Sequence, residues 1–201
     1  MLKGFDINFR TENIMKKIPV LIFLLICNYA FAQSFVSQPG KVEFYLLKST
    51  TLSIDSPGVI RRQFDVSPGE LQDTAVIKDN EIISYTIRKD HFRLMGNKDT
   101  IVERFLFNIS DAAANKLKAL KPDLCCGIKF AVVVNRKVCF TGYFWNLFSS
   151  FACDWITVYP VGNIIDVMGK LPDTFATIPN DPRKDRLLVA CLKATNRLII
   201  K

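Results

Sequence analysis

The spacing of hydrophobic and polar residues along the chain predicts short strands interrupted by two helices. Residues 41–48 hold a dense apolar run, which predicts a strand buried on more than one face. Residues 81–87 and 91–95 predict two further strands, with residues 89–90 placed where a tight hairpin turn would join them. Residues 49–80 are rich in Ser, Thr, Asp, Pro and Gly, so we expect mainly loop and turn there.

The middle of the chain shows the clearest local patterns. Ser110 precedes an acidic residue and three alanines, which is typical of a capped helix start, and Pro122 is expected to end that helix. Residues 128–134 form a β-branched run without alternation, which is typical of a strand buried on both faces. Residues 135–136 predict a hairpin turn, and residues 137–143 predict the returning strand.

The C-terminal third predicts two strands, a helix and a last strand. The strands are expected over residues 155–159 and 163–168. Residues 180–182 place a capping carboxylate before a proline, which predicts the start of a second helix ending near Asn196, and residues 197–201 predict a final strand. Strands flank helices without a regular βαβ alternation, so the predicted class is α+β, with a mainly antiparallel sheet packed by two helices.

The elements over residues 110–138 follow one another in a recognisable order. A polar cap and small residues at 110–113 open a helix, an apolar strand follows at 130–134, and a turn leads into a second strand at 135–138. This order resembles a segment of the periplasmic head domain of the SecD export subunit. The resemblance implies a ferredoxin-like arrangement of helices on a sheet, and it includes no catalytic motif.

The N-terminal residues carry the three parts of an export signal. A basic pair at residues 16–17 precedes an apolar run at 18–26, and Ala30 and Ala32 then supply the small residues that signal peptidase requires before a cut at Gln33. The pattern predicts cleavage between Ala32 and Gln33. It predicts an exported protein, either periplasmic or extracellular.

Cleavage there divides the chain into a signal peptide, residues 1–32, and a single α+β domain, residues 33–201. Met15 offers a compact alternative start, which would make residues 1–14 an upstream extension. The apolar stretch is shorter than the roughly 20 residues of a spanning helix, so we expect no transmembrane span after cleavage. A lipid-anchored form is not expected, because the bulky Ile26 precedes Cys27.

Composition and charge narrow the possible partners. The 201 residues are 49% hydrophobic and 23% charged, which is typical of a globular domain with a core. Four basic and two acidic residues lie in the signal peptide, so +6 of the formal charge of +8 stays on the mature chain. Those charges are scattered, whereas a nucleic-acid surface needs a dense basic stripe, so nucleic acid is not an expected partner. A weak preference for anionic headgroups or acidic glycans is the alternative to a plain solvated surface.

Catalytic chemistry has few candidates in this sequence. His91 is the single histidine, which excludes multi-histidine metal sites, and neither a nucleophile elbow nor a glycine-rich phosphate loop occurs. We therefore assign no catalytic residue, no metal and no cofactor. The alternative is an exported enzyme that uses Cys125, Cys126 or His91.

Five cysteines follow the signal peptide, in a compartment where disulfides form. Cys139 and Cys153 flank an aromatic-rich connection and are the leading candidates for a bridge. Cys125 and Cys126 are adjacent, and neighbouring cysteines rarely bond to each other because the ring strains the peptide between them. Since five is odd, at least one thiol is left over or pairs with another chain.

Residues 140–155 form the most unusual stretch, with seven aromatic side chains interleaved with serines and an aspartate. Aromatic rings with polar neighbours grip a partner protein or stack on a glycan when they are exposed. The other interpretation is that these rings build the core. On the binding hypothesis, the chain is a non-enzymatic exported domain that recognises a protein or glycan of the cell envelope, and an envelope-assembly or export accessory factor is a further alternative. The candidate binding residues are Tyr143, Trp145, Phe148, Ser149, Ser150, Asp154 and Trp155.

Overall fold

A computed structural model describes residues 40–48, 63–94, 98–171 and 178–201, which all belong to one unit, Pro39–Lys201. The predicted signal peptide and its cleavage site lie outside these residues. So do residues 49–62 of the segment 49–80, which is expected to be mainly loop and turn.

The described residues contain one mixed sheet of eight strands and two α-helices, which confirms the α+β class. The sheet order is β1-β4-β5-β6-β7-β3-β2-β8, with five antiparallel and two parallel pairings. The sheet is larger than two helices would cover, and the ferredoxin-like layout is not confirmed. The strands are β1 Val42–Leu46, β2 Ile82–Leu94, β3 Lys98–Ile109, β4 Ile128–Val134, β5 Lys137–Phe144, β6 Thr157–Val158, β7 Ile164–Met168 and β8 Leu198–Ile200.

The long pair β2–β3 corrects the prediction of a turn at residues 89–90. β2 runs unbroken through both positions, and Lys89 pairs with Glu103 while Asp90 pairs with Val102. Polar residues fit mid-strand here because Arg88 Nη2 donates to Asp90 Oδ2 at 2.8 Å, so the charges satisfy one another on the sheet surface. These ion-pair contacts also hold the pKa of the Asp90 carboxyl below its usual range, chiefly through the Arg88 hydrogen bond.

Both predicted helices form, and the second begins later than predicted. Helix α1 spans Asp111–Ala119, and the Ser110 Oγ cap accepts from the Ala113 amide at 3.3 Å. At the second site, Asp181 caps only a short 3-10 turn, Pro182–Lys184. Helix α2 spans Arg186–Ala194, because Asp185 supplies a second cap that accepts from the Leu187 and Leu188 amides at 2.8 and 3.1 Å. Neither helix in the described ranges is long and apolar enough to cross a membrane.

The hairpin β4–β5 forms as predicted. Asn135 and Arg136 have φ angles of 49° and 66°, which is the left-handed backbone that a two-residue hairpin turn of type I′ requires. The Asn135 side chain also accepts from the Lys41 amide at 3.0 Å, which ties the turn to the start of β1. The final strand β8 is confirmed as well, and it pairs in parallel with β2.

The segment after residue 63 covers the outer edge of β1, although its sequence predicts loop and turn. Ile77 forms an isolated bridge with Phe44, and Leu71 forms one with Leu47. The Phe44 amide donates to the Ile77 carbonyl at 2.9 Å. This irregular segment therefore pairs the backbone groups of an edge strand that would otherwise be open to another chain.

The sheet folds over on itself and encloses an aromatic core. Phe44 on β1 lies with ring centroids 5.8 Å from Phe130 on β4, and Tyr85 on β2 lies 4.2 Å from Phe107 on β3. The ring centroids of Phe44 on β1 and Phe107 on β3 lie 5.0 Å apart, so these two strands face each other across the core. Helix α2 adds Leu188, Cys191 and Leu192 to the buried set.

Candidate functional site

The aromatic stretch 140–155 divides into a buried part and an exposed part. Tyr143, Trp145 and Trp155 belong to the core, with 3%, 1% and 8% of their surfaces exposed. Three of the seven candidate binding residues are therefore core side chains, as the alternative interpretation of this stretch expects. None of the three offers a ring face to solvent.

Backbone pairing explains why these rings turn inward. The Tyr143 amide donates to the Ile156 carbonyl at 2.9 Å, and the Trp145 amide donates to the Val158 carbonyl at 2.8 Å. These bonds keep the chain in the sheet one residue beyond the end of β5. The Trp155 Nε1 donates to the Thr141 carbonyl at 2.9 Å, which satisfies its one polar group inside the protein.

The exposed apolar side chains of this stretch, together with Leu124 from a neighbouring turn, form a group of four that we call the apolar patch. Phe148 is 86% exposed, and the other three are between 42% and 56% exposed. Three members come from the loop after β5, and the fourth comes from the turn before β4. The apolar patch comprises Leu124, Leu147, Phe148 and Phe151.

Side-chain hydrogen bonds join the two loops of the apolar patch. Asn146 Nδ2 donates to the Pro122 carbonyl at 2.7 Å, and Ser149 Oγ donates to the Leu124 carbonyl. The same two side chains also accept within their own loop, Asn146 Oδ1 from the Phe148 amide at 2.9 Å and Ser149 Oγ from the Phe151 amide at 3.2 Å. Asn146 and Ser149 therefore fix both loops in one arrangement.

Gly127 and Trp145 support the patch from beneath. Gly127 has a φ of +64°, which a glycine adopts without strain. A Cβ at this position would lie 2.6 Å from Trp145 Cε3 and 2.9 Å from the Phe144 carbonyl oxygen. The backbone of the turn thus packs directly against the Trp145 ring. Trp145 therefore holds the turn that carries Leu124 in place and is not itself part of the exposed surface.

Of the polar candidates, Ser149 and Ser150 lie in the loop that carries Phe148 and Phe151. Ser149 is half-buried by its bond to the Leu124 carbonyl, whereas Ser150 is exposed. Asp154 is exposed and forms an ion pair with Lys170, with Asp154 Oδ1 2.7 Å from Lys170 Nζ. Among the apolar candidates, Phe148 is therefore the most exposed, and their role in binding stays a prediction.

The candidate disulfide residues lie near the buried aromatic part. Cys139 Sγ is 3.9 Å from the Lys137 carbonyl oxygen, and Cys153 Sγ is 3.7 Å from the Trp155 carbonyl oxygen. Burial, with the nearby Asp185 carboxylate, raises the pKa of the Cys139 thiol to about 12. The bridge between Cys139 and Cys153 stays a prediction.

The residues of the alternative enzyme hypothesis lie on separate elements. His91 is exposed in β2, where it pairs with Ile101. Cys125 and Cys126 lie in the turn before β4, next to the apolar patch, and their Sγ atoms are 2.9 Å apart. The sequence shows that the two cysteines are adjacent, but it does not show that their side chains point toward each other, because that depends on the conformation of the turn.

A groove that sequence reasoning missed lies beside β5. Its volume is about 250 Å³. Trp155 and Cys139 line it, and so do Phe64 and Val66 from the segment that covers the edge of β1. The Thr141 hydroxyl donates to the Phe64 carbonyl at 2.9 Å, which anchors that segment to the strand.

Within the described ranges, no cluster of His, Cys, Asp and Glu side chains is placed to hold a metal ion. Comparison of the chain with protein-family models, with curated proteins and with solved structures finds no match. Function therefore has to be inferred from the residues of this chain and their geometry.

Proposed function

We propose that this chain is an exported, non-enzymatic binding protein whose apolar patch engages a protein partner of the cell envelope. The predicted signal peptide supports export, to the periplasm or the extracellular space. The single observation that carries the binding proposal is the exposure of Phe148, at 86%, among three other exposed apolar side chains. Contiguous exposed apolar residues with a polar surround are typical of protein interaction sites.

The energy available from the patch fits this role. Complete burial of a side chain such as Phe or Leu contributes about 1.5–3 kcal/mol relative to leaving it exposed. The Asn146 and Ser149 hydrogen bonds hold the two loops together before any partner arrives. Less conformational entropy is then lost on binding, so more of the apolar gain is available as affinity.

A protein partner is favoured over a glycan by the placement of the tryptophans. Sugar stacking uses broad exposed aromatic faces, and Trp145 and Trp155 are both buried. The patch offers aliphatic Leu124 and Leu147 beside its phenylalanines, which suits apolar side chains of another protein.

Site-specific photocrosslinking tests the proposal in cells that produce the full chain. A photoreactive amino acid at Phe148 should yield one discrete crosslinked protein, whose identity mass spectrometry then gives. The matched control is Val161, an exposed apolar side chain outside the patch. A Phe148 position that gives no crosslink, or the same diffuse products as Val161, would overturn the proposal.

A second candidate function, an accessory factor of envelope assembly or protein export, is suggested only by the resemblance of residues 110–138 to the SecD head domain. Helix α1, strand β4 and the first two residues of β5 lie in this segment, and a ferredoxin-like layout belongs to the same proposal. A Phe148 crosslink to an export or assembly component would favour this candidate. A crosslink to an unrelated envelope protein would favour the general binding role.

A further inference from the structure

Two neighbouring thiols face each other in the turn before β4. Cys125 and Cys126 have Sγ atoms 2.9 Å apart. Cys125 is exposed, whereas Cys126 is 5% exposed. The pair therefore offers one sulfur to solvent and keeps the second directly behind it.

The surrounding contacts hold the turn in this conformation. Pro122 and Leu124 are bound through their carbonyls by Asn146 and Ser149. On the other side, the backbone at Gly127 lies against the Trp145 ring. The backbone on both sides of the two cysteines is fixed, so their sulfurs are kept close without a covalent bond.

We propose that Cys125 and Cys126 form a redox-active dithiol that reduces an organic disulfide and becomes a Cys125–Cys126 disulfide. In the first step the Cys125 thiolate attacks one sulfur of the incoming disulfide, forms a mixed disulfide and expels one thiolate. In the second step the Cys126 thiolate attacks Cys125 Sγ and expels the other thiolate. The dithiol loses two electrons, the organic disulfide gains them, and the two cysteine protons end on the two released thiols.

Exposure assigns the two roles. The incoming disulfide can reach Cys125 Sγ, and Cys126 needs only to reach the sulfur beside it. The pKa of the Cys125 thiol is raised, first by its hydrogen bond with Cys126 and also by burial and the nearby Asp123. Since the thiolate is the nucleophile, the first step accelerates as the pH rises.

Ring strain makes the Cys125–Cys126 disulfide short-lived, because it passes its oxidation readily to another thiol. A Cys125–Cys126 bond would close a ring that contains the peptide between the two residues, which is why adjacent cysteines seldom form permanent bridges. Strained, exposed disulfides have higher reduction potentials than structural ones and are readily reduced again. The geometry thus fits reversible, stoichiometric exchange in the turn that also carries Leu124 of the apolar patch.

Mass spectrometry of the reduced full chain tests the proposal, with 2-hydroxyethyl disulfide in large excess as the oxidant, because a strained bridge is readily reduced again by the released thiol. Trypsin cuts after Lys118 and Lys129 and does not cut between Lys121 and Pro122, so peptide 119–129 carries both thiols and no other cysteine. The wild-type peptide is expected to lose two hydrogen atoms and to carry no adduct. A stable mercaptoethanol adduct on this peptide, or a bridge to a different cysteine peptide, would overturn the proposal.

Two variants separate the steps. Cys126→Ser is expected to stop at the mixed disulfide, so peptide 119–129 should retain one mercaptoethanol adduct on Cys125. Cys139→Ser, a matched removal of a thiol elsewhere, is expected to leave the oxidation of peptide 119–129 unchanged. Loss of the two-hydrogen shift in Cys139→Ser would instead show that the oxidation passes through Cys139, which contradicts the proposal.

Discussion

The ring of Phe44 lies edge to face against the ring of Phe107, with centroids 5.0 Å apart and planes at 82°. Four strands stand between β1 and β3 in the sheet order, so this contact exists only because the sheet closes over its own face. Edge-to-face pairs of this kind contribute about 0.5–1.5 kcal/mol beyond the area that they bury. The contact therefore joins the two halves of the sheet.

Replacing Phe107 with Ala should lower the free energy of unfolding by about 3–5 kcal/mol, because it leaves a cavity where the two halves meet. Urea denaturation followed by circular dichroism measures this loss. The matched control is Ile101→Ala on the same strand, whose side chain is exposed and whose loss should cost less than about 1 kcal/mol. Equal losses in the two variants would show that β3 is not enclosed as described.

The two aromatic residues Trp145 and Phe148 should behave in opposite ways. Trp145→Ala should cost about 3–5 kcal/mol of stability, because the ring fills the core beneath the patch. Trp145→Phe should cost less, because the buried indole Nε1 has no acceptor among the described residues. Phe148→Ala should change stability by no more than about 0.5 kcal/mol. Thermal unfolding of the three variants would contradict this account if Phe148→Ala were the most damaging.

Arg183 lies in a buried cluster of interactions, and its contribution to stability can be measured against a variant of the neighbouring residue Lys184. Its Nη2 lies 2.7 Å from Asp181 Oδ2, its Nη1 donates to the Val167 carbonyl at 2.7 Å, and its guanidinium lies 4.2 Å from the centre of the Phe105 ring. Arg183→Ala should cost about 3–5 kcal/mol, because it leaves the Asp181 carboxylate without its partner.

The neighbouring Lys184 is the control for that prediction, since it pairs with Glu103 at the surface. Lys184→Ala should cost no more than about 1 kcal/mol, because exposed ion pairs contribute little. Chemical denaturation that ranks the two variants the other way round would contradict the buried cluster.

Alkylation should distinguish Cys139 from the exposed Cys125. The pKa of Cys139 is raised to about 12, so its reactive thiolate is scarce near neutral pH and increases as the pH rises toward that value. The pKa of Cys125 is also raised, but its side chain is exposed, so at about pH 8 iodoacetamide should modify Cys125 before Cys139 in the reduced protein. Peptide mapping over time measures both rates, and faster labelling of Cys139 would contradict its described burial.

The same peptide map tests the predicted Cys139–Cys153 bridge in protein purified without reductant. Residues 138–170 form one tryptic peptide that contains both cysteines. A loss of two hydrogens in that peptide would support the bridge, and full alkylation of both thiols after denaturation would exclude it.

The sequence predicted correctly those elements whose position depends on a few neighbouring residues, such as a helix cap or a two-residue turn. The Ser110 cap fixed the start of α1, and the turn at Asn135 and Arg136 formed because those two residues accept the left-handed backbone. The start of α2 was misplaced because Asp181 and Asp185 are both good caps, and only the packed structure assigns one to a 3-10 turn and the other to the helix.

Pairing between strands determines the features that the sequence did not predict, namely the unbroken course of β2 and the burial of Trp145. Charged residues in mid-β2 resembled a turn, because their partners lie on the next strand, where Lys89 pairs with Glu103 and Asp90 with Val102, and local sequence does not show that pairing. Strand β3 did carry a usable signal, since Phe105, Phe107 and Ile109 alternate at a strand's period of two. Within the aromatic stretch, burial of Trp145 and exposure of Phe148 follow from which residues stay hydrogen-bonded in the sheet, and composition cannot separate the two.

The equilibrium affinity for the protein that crosslinks at Phe148 tests the central claim most directly. Isothermal titration calorimetry would compare the wild type with Phe148→Ala and with the control Val161→Ala. Phe148→Ala should weaken binding by about 2 kcal/mol, roughly thirtyfold, with its melting temperature unchanged, and Val161→Ala should bind as the wild type does. Equal affinity of Phe148→Ala and the wild type would show that the apolar patch is not the binding surface.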